Sequence, residues 1–229
     1  EITDKRFTVA IPRELLGETV TDLEFKWADS AFENGDILCA YRVHGDTGKT
    51  GSNEQKYVRK IICAVSKDNG YNWEYHSTIV DVYQMGLTNS KVNSTIESIS
   101  SKWVGVYEPC FGEIDGKLTV MYADDFSSKI KQGTNDHGSQ LIQPCTWDPV
   151  TSTWSSPNTC LDGTIKKNVN GYNVISRDGM PVFDELSDGT VVLVTEGTYM
   201  NGVGHPFIIC LSYSKDHGKT FSTPKAIFI

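Results

Sequence analysis

Hydrophobic residues in this chain come in short runs, many alternating with polar ones, and turn-forming dipeptides rather than helical spacing separate the runs. Asn34-Gly35, Asp115-Gly116 and Asp188-Gly189 each stand between two such runs. That is the local pattern of a β-hairpin, because glycine accepts the positive φ of a tight turn. Anchored on these glycines, the pattern predicts three similar units. In the first, a strand over 25–32 turns into 36–43, and 57–65 turns into 73–80. In the second, 110–114 turns into 117–123, followed by 140–146 and a short strand at Thr153-Trp154. In the third, 180–186 turns into 190–195, followed by 206–213.

One turn is written twice. Ser66-Lys-Asp-Asn-Gly-Tyr-Asn-Trp73 and Ser214-Lys-Asp-His-Gly-Lys-Thr-Phe221 both read Ser-x-Asp-x-Gly-x-x-aromatic, each after a β-rich run. The spacing has a mechanism: Asp accepts nearby backbone N–H groups, Gly closes the turn, and the aromatic packs where the next strand begins. A decayed copy over 146–154 keeps Asp148 and the closing Trp154. The same turn at the same strand junction implies repeated four-stranded units, which a sandwich or jelly roll does not predict. The pattern resembles the Asp-box (BNR) repeat of sialidase-like β-propellers.

The expected fold is therefore all-β, a propeller of four-stranded antiparallel blades over approximately 22–80, 104–160 and 177–229, in a single domain spanning 1–229. Propellers run from about four to eight blades, so three leave a ring open. The reading expects part of a six-bladed propeller, completed by further sequence, by a second chain, or by strands from 6–11 and the C-terminal residues.

Strand register locates candidate chemistry. Seven residues after the three hairpin glycines stand Arg42, Ala123 and Glu196, and eight before them stand Trp27, Glu108 and Pro181. First-strand starts and second-strand ends share one rim of an antiparallel pair. Glu108, Asp124, Arg42, Arg177, Asp178 and Glu196 are therefore expected on one face. Glu196 ends the apolar run Val191-Val-Leu-Val-Thr195, and Glu108 has no basic neighbour in sequence, so both are candidates for desolvation and raised pKa. Two carboxylates flanking a glycosidic bond are the minimum apparatus of most glycoside hydrolases. The plainer alternative is a pair of rim carboxylates, solvated or salt-bridged to Arg42 or Arg177.

Longer segments carry a second resemblance. Tyr107-Glu-Pro109, Asp115-Gly-Lys-Leu118 and Met121-Tyr-Ala-Asp-Asp125 look like segments of glycoside hydrolase family 93, as do Arg177-Asp-Gly-Met-Pro181 and Val194-Thr-Glu-Gly197. The resemblance implies a six-bladed exo-α-1,5-L-arabinanase that releases arabinobiose with retention. It carries the catalytic glutamates over to Glu108 and Glu196, one to protonate the leaving oxygen and the other to attack the anomeric carbon; Glu108 as acid/base with Glu196 as nucleophile is the preferred assignment, and the reverse stays open. Arg42, Asp124, Arg177, Asp178, Tyr107 and Tyr199 become candidate substrate-binding residues. The chain departs from that family where Gly197-Thr-Tyr199 follows Glu196. Two rivals stay open: a sialidase, which needs three arginines converging on a carboxylate, and a non-catalytic carbohydrate-binding propeller with aromatic platforms. Trp27, Trp103, Tyr107 and Tyr199 would serve either class of sugar site.

Composition narrows the partners. The 229 residues carry 21 basic and 29 acidic side chains, for a net charge of −8, which disfavours nucleic acid and anionic membrane surfaces. No apolar run approaches the roughly 18 residues of a membrane span. An oligo- or polysaccharide is the expected substrate, with no cofactor and no metal. Six scattered cysteines form no zinc-ligand pair. Cys39, Cys63 and Cys210 lie in apolar runs as buried free thiols, whereas Cys145 and Cys160 flank a hairpin and could be bridged. Asn93-Ser-Thr95 is a glycosylation sequon, and the chain opens at Glu1 without Met, so a secreted, extracellular protein is expected.

Overall fold

The computed structural model describes residues 23–27, 35–98, 104–132, 139–163, 166–167, 173–174, 177–197 and 208–228. The first sheet is an antiparallel meander of β1 (Leu23–Trp27), β2 (Ile37–Asp46), β3 (Tyr57–Ser66) and β4 (Glu74–Asp81). A 3-10 turn at Val82–Gln84 and helix α1 (Asn89–Glu97) lead to the second sheet. That sheet runs β5 (Val106–Ile114), β6 (Lys117–Asp124), β7 (Leu141–Asp148) and β8 (Thr153–Trp154), with helix α2 (Asp125–Gln132) between β6 and β7. Strand β9 (Leu161–Asp162) returns to pair with β7. A ribbon of β10 (Lys166–Lys167) and β11 (Asn173–Val174) precedes the third sheet. The latter is a meander of β12 (Gly179–Glu185), β13 (Val191–Gly197), β14 (Ile208–Ser214) and β15 (Lys225–Phe228). The first strand of the second sheet, β5, neighbours both β1 and β12, while the outer strands β4 and β8 meet further out. The three sheets thus fan from a line of first strands.

Side-chain alternation explains the packing. Along β6, Leu118, Val120 and Tyr122 enter the core shared with the first sheet, while Met121 and Ala123 enter the core shared with the third. Such a strand reads as continuously apolar because both of its faces are covered. In the third sheet, Phe183, Val191 and Leu193 face inward, whereas Val182, Ile209 and Tyr213 remain exposed on the opposite face. Its alternation is accordingly the cleaner one.

Both repeated turns have the expected construction. Gly70 and Gly218 donate N–H to Ser66 Oγ and Ser214 Oγ at 2.8 and 2.9 Å. Asp68 and Asp216 accept from the N–H groups of Asn72 and Thr220 at 2.8 and 2.9 Å. The glycines take φ of 88° and 74°. In the decayed copy Asp148 still accepts the Val150 N–H at 2.8 Å, and Trp154 donates across the sheets to Ser77 Oγ at 2.8 Å. Asp115-Gly116 has positive φ at both residues, 54° and 66°, as a two-residue hairpin of right-handed strands requires.

Several expectations need correction. The two helices lie in mostly polar stretches whose apolar periodicity is a single i,i+4 pair each, Val92/Ile96 and Phe126/Ile130, and each is fixed by a side-chain cap: Thr88 Oγ1 accepts the Lys91 N–H, and Asp124 Oδ1 accepts that of Ser127. Asn93 is buried in α1, donating to the carbonyls of Ser52 and Glu54 at 3.0 and 2.8 Å, so its amide is closed to glycosylation in the folded chain. All six cysteines are buried free thiols, Cys145 and Cys160 included. Trp27 pairs with Ile37, a register that a two-residue turn at Asn34-Gly35 would not give; residues 28–34 lie outside the described residues.

The second and third sheets pack closely at Gly112, where a Cβ would overlap the Phe183 ring. Gly112→Ala is therefore expected to destabilise the protein by about 1–3 kcal/mol through overpacking, read as a lower urea midpoint. An unchanged midpoint would show that the two sheets do not touch there.

Candidate active site

The second and third sheets carry the same irregularity at the start of their first strands. In β5 the pairing with β6 jumps from Tyr107↔Ala123 to Cys110↔Met121, and in β12 that with β13 jumps from Gly179↔Glu196 to Val182↔Val194. Each bulge consists of a residue before proline: Glu108-Pro109 and Met180-Pro181. Proline disfavours the right-handed helical region at the preceding residue and removes a ladder donor. Glu108 and Met180 instead take positive φ, 54° and 50°, a conformation costing about 1–3 kcal/mol in a non-glycine residue. The strain has a visible result. The Met180 N–H, released from the ladder, donates to Glu108 Oε2 at 2.7 Å and ties one bulge to the other.

Glu196 reaches the same point from the end of β13. Were Gly179 to carry a Cβ, that atom would lie 3.1 Å from Glu108 Oε2 and 3.0 Å from Glu196 Oε1. Those two oxygens are therefore separated by at most the sum of the two distances, about 6 Å. The same Cβ would collide with Gln140 Oε1, the side chain of the residue before β7. Arg177 Nε stands 3.8 Å from Glu196 Oε1. Burial raises the Glu196 pKa, against the pull of that guanidinium in the opposite direction.

Of the other expected residues, Arg42 lies with its guanidinium 4.7 Å from the centre of the Tyr107 ring. Tyr107 is buried beneath it, its hydroxyl held well above the ordinary range by desolvation and by Asp125. It is a support for Arg42 rather than an open platform. Asp178 is buried under Gly197, 3.5 Å from where a Cβ there would sit. Asp124 needs correction: its carboxylate is fully enclosed, capping α2 and accepting Gln143 Nε2 at 2.7 Å. Tyr199 and Trp103 lie outside the described residues.

Sequence reasoning missed two residues. Asp125 accepts the Gly105 N–H at 2.6 Å, and desolvation with Asp124 alongside pushes its pKa well above the carboxylate range, while Arg177 pulls it down. The Asp124-Asp125 doublet was the available signal, since adjacent residues at a strand end face opposite ways. Gln140 left no signal beyond its place at a strand start. A cavity of about 820 Å³ lies elsewhere, between β4, α2 and the β8 turn, with Trp154 and Met85 in its wall. The carboxylate pair is a rim feature apart from it.

No protein-family model matches the chain, and no curated protein does. Solved structures do. An α-L-arabinofuranosidase of Fusarium graminearum in complex with an iminosugar inhibitor is 20% identical, with a TM-score of 0.55 over 91% of this chain and 50% of its own. An α-L-arabinanase of Penicillium chrysogenum complexed with arabinobiose is 18% identical, with a TM-score of 0.56 over 91% and 50%. An endo-arabinase of Bacteroides thetaiotaomicron follows at 9% identity, with a TM-score of 0.51 over 85% and 59%. This chain thus spans about half the length of the first two proteins. The likeness establishes the fold: the three fanned sheets are blades of a β-propeller like those of propeller glycoside hydrolases.

Proposed function

We propose that this chain forms the catalytic half of a retaining exo-glycoside hydrolase acting on a neutral glycan of the α-1,5-arabinan type, with Glu108 as acid/base and Glu196 as nucleophile. The observation that carries the reading is the convergence of two carboxylates from neighbouring blades across Gly179, with Glu108 Oε2 and Glu196 Oε1 no more than about 6 Å apart. Retaining enzymes hold their carboxyl groups about 5–5.5 Å apart, and inverting ones leave about 6.5–9.5 Å for a water. The bound, set on one oxygen of each group, is compatible with the retaining spacing, and retention itself is taken from the family resemblance.

The local chemistry suits the two roles. Glu108 accepts the Met180 N–H on Oε2, which fixes the carboxyl that delivers a proton to the glycosidic oxygen. Glu196 faces the guanidinium of Arg177, which supports its ionised form for attack on the anomeric carbon. Water activated by Glu108 then releases the sugar. Identity of the substrate as arabinan rests on the arabinanase-like fold and on the segments around the two glutamates. Further blades, from additional sequence or a second chain, supply the remaining pocket wall. A secreted location fits an enzyme whose polysaccharide cannot enter a cell.

The repeated Ser-x-Asp-x-Gly turns are compatible with kinship to the Asp-box propellers, but the arginines speak against a sialidase. Arg59, the third arginine near Tyr107, donates to the carbonyls of Val104, Gly45 and Val58 at 3.1, 2.7 and 2.7 Å. It is thereby committed to the backbone rather than to a substrate carboxylate.

Three outcomes are expected of the full-length protein on linear arabinan and aryl arabinofuranosides. Glu108→Gln and Glu196→Gln each lower kcat/KM by about 10³-fold with an unchanged thermal midpoint, and unaltered turnover would end the proposal. Gly179→Ala, whose methyl meets Gln140 and crowds both carboxylates, also abolishes turnover; near wild-type rates would contradict the close approach. The pH profile follows from the sign of the Glu196 shift. A nucleophile with raised pKa is protonated sooner on acidification, so activity falls at a higher pH than an ordinary glutamate would dictate. An acidic limb at or below the usual glutamate value would refute this.

A further inference from the structure

Gln140 is 2% exposed, and its Oε1 has no hydrogen-bond partner among the described residues. A buried acceptor without a partner is rare enough to require a reason. Its position supplies one. Gln140 Oε1, Glu196 Oε1 and Glu108 Oε2 surround a single point beside Gly179, all within 3.1 Å of it. The amide is held there by its own backbone, whose carbonyl accepts the Gly163 N–H at 3.0 Å.

A carboxamide has two ends of the same shape, and its neighbours decide which end faces inward. An oxygen placed beside two carboxylates gains no donor from either of them. Half a turn about the last side-chain bond replaces it with N–H donors. The two carboxylates are not equivalent recipients. Glu108 Oε2 already accepts the Met180 N–H at 2.7 Å, whereas the polar neighbour of Glu196 among the described residues is Arg177 at 3.8 Å. Among the described residues, Arg177, from the segment before β12, and Glu108, from β5, are the charged groups facing Glu196; Asp178 sits below, against Gly197.

We propose that Gln140 is a positioning residue whose amide, turned N–H inward, donates to Glu196 and holds that carboxylate ionised and aimed for attack. The inference rests on the functional reading above, in which Glu196 is the nucleophile. It assigns the second blade two parts in the site, the acid/base on β5 and the orienter ahead of β7.

The test is an NMR titration of the full-length protein carrying isotope-labelled glutamate, with the Glu196 resonance identified by its loss in Glu196→Gln. Gln140→Met keeps the length and removes the donor. Its Glu196 pKa is expected to rise by about one unit, with the acidic limb of kcat/KM moving up by the same amount. A folded Gln140→Met protein in which Glu196 titrates as in wild type would overturn the proposal. Should that variant fail to fold, labelled glutamine in the wild type keeps the question open to refutation. The Gln140 side-chain N–H signals must follow the Glu196 titration and stop doing so in Glu196→Gln; signals blind to it would refute the contact. The two readings fail separately. Full turnover in Glu196→Gln defeats the catalytic assignment, while an inactive Glu196→Gln with an unmoved titration defeats only the role of Gln140.

Discussion

The hydrogen bond from the Met180 N–H to Glu108 Oε2 is the contact on which the site depends. A regular ladder would direct that N–H to the neighbouring strand, and Glu108 would follow the pleat of its own. Both are released because each sheet inserts one extra residue ahead of a proline. A bulge re-aims a side chain and interrupts pairing in one step. Two bulges in register, one on each side of an inter-sheet seam, give a carboxylate and a free donor facing each other. Gly179 completes the arrangement, since the space that any side chain would fill is where the two carboxylates and Gln140 meet.

That arrangement needs rigid sheets behind it. The second sheet is gripped on both faces, with Tyr122 and Val120 in one core and Met121 and Ala123 in the other. The carboxyl group of Asp124 anchors the end of β6 by capping α2, and the Asp115 N–H bonds Glu185 Oε2 at 2.8 Å, linking the hairpins of the two sheets. Interdigitated cores deform little, so strain at Glu108 and Met180 persists instead of relaxing.

The repeat was readable in the sequence because its turn chemistry is local. Asp, Gly and Ser act on backbone a few residues away, so Ser66–Asp68 and Ser214–Asp216 announce the same turn without knowledge of the rest. The glutamate pair was also readable, since both sit at fixed offsets from hairpin glycines. What was not readable is one residue of register. Spacing aligned Glu108 with Pro181, but the bulges align Pro109 with Pro181, because the third hairpin has one more residue before Gly189. Asp124 and Asp125 differ in the same way. Which of two adjacent carboxylates caps a helix depends on where β6 ends, and tertiary packing decides that. Gln140 and the close approach at Gly179 arise from three separated segments, a juxtaposition that no local pattern encodes.

The central claim is that Glu196 stands within bonding reach of the sugar that Glu108 protonates. Trapping tests it most directly: the full-length protein is inactivated with an activated 2-fluoro arabinofuranoside and the labelled peptide is mapped by mass spectrometry. The account predicts a single glycosyl ester on Glu196, absent from Glu196→Gln. An adduct on any other carboxylate, or steady turnover of the reagent with no adduct formed, would contradict it.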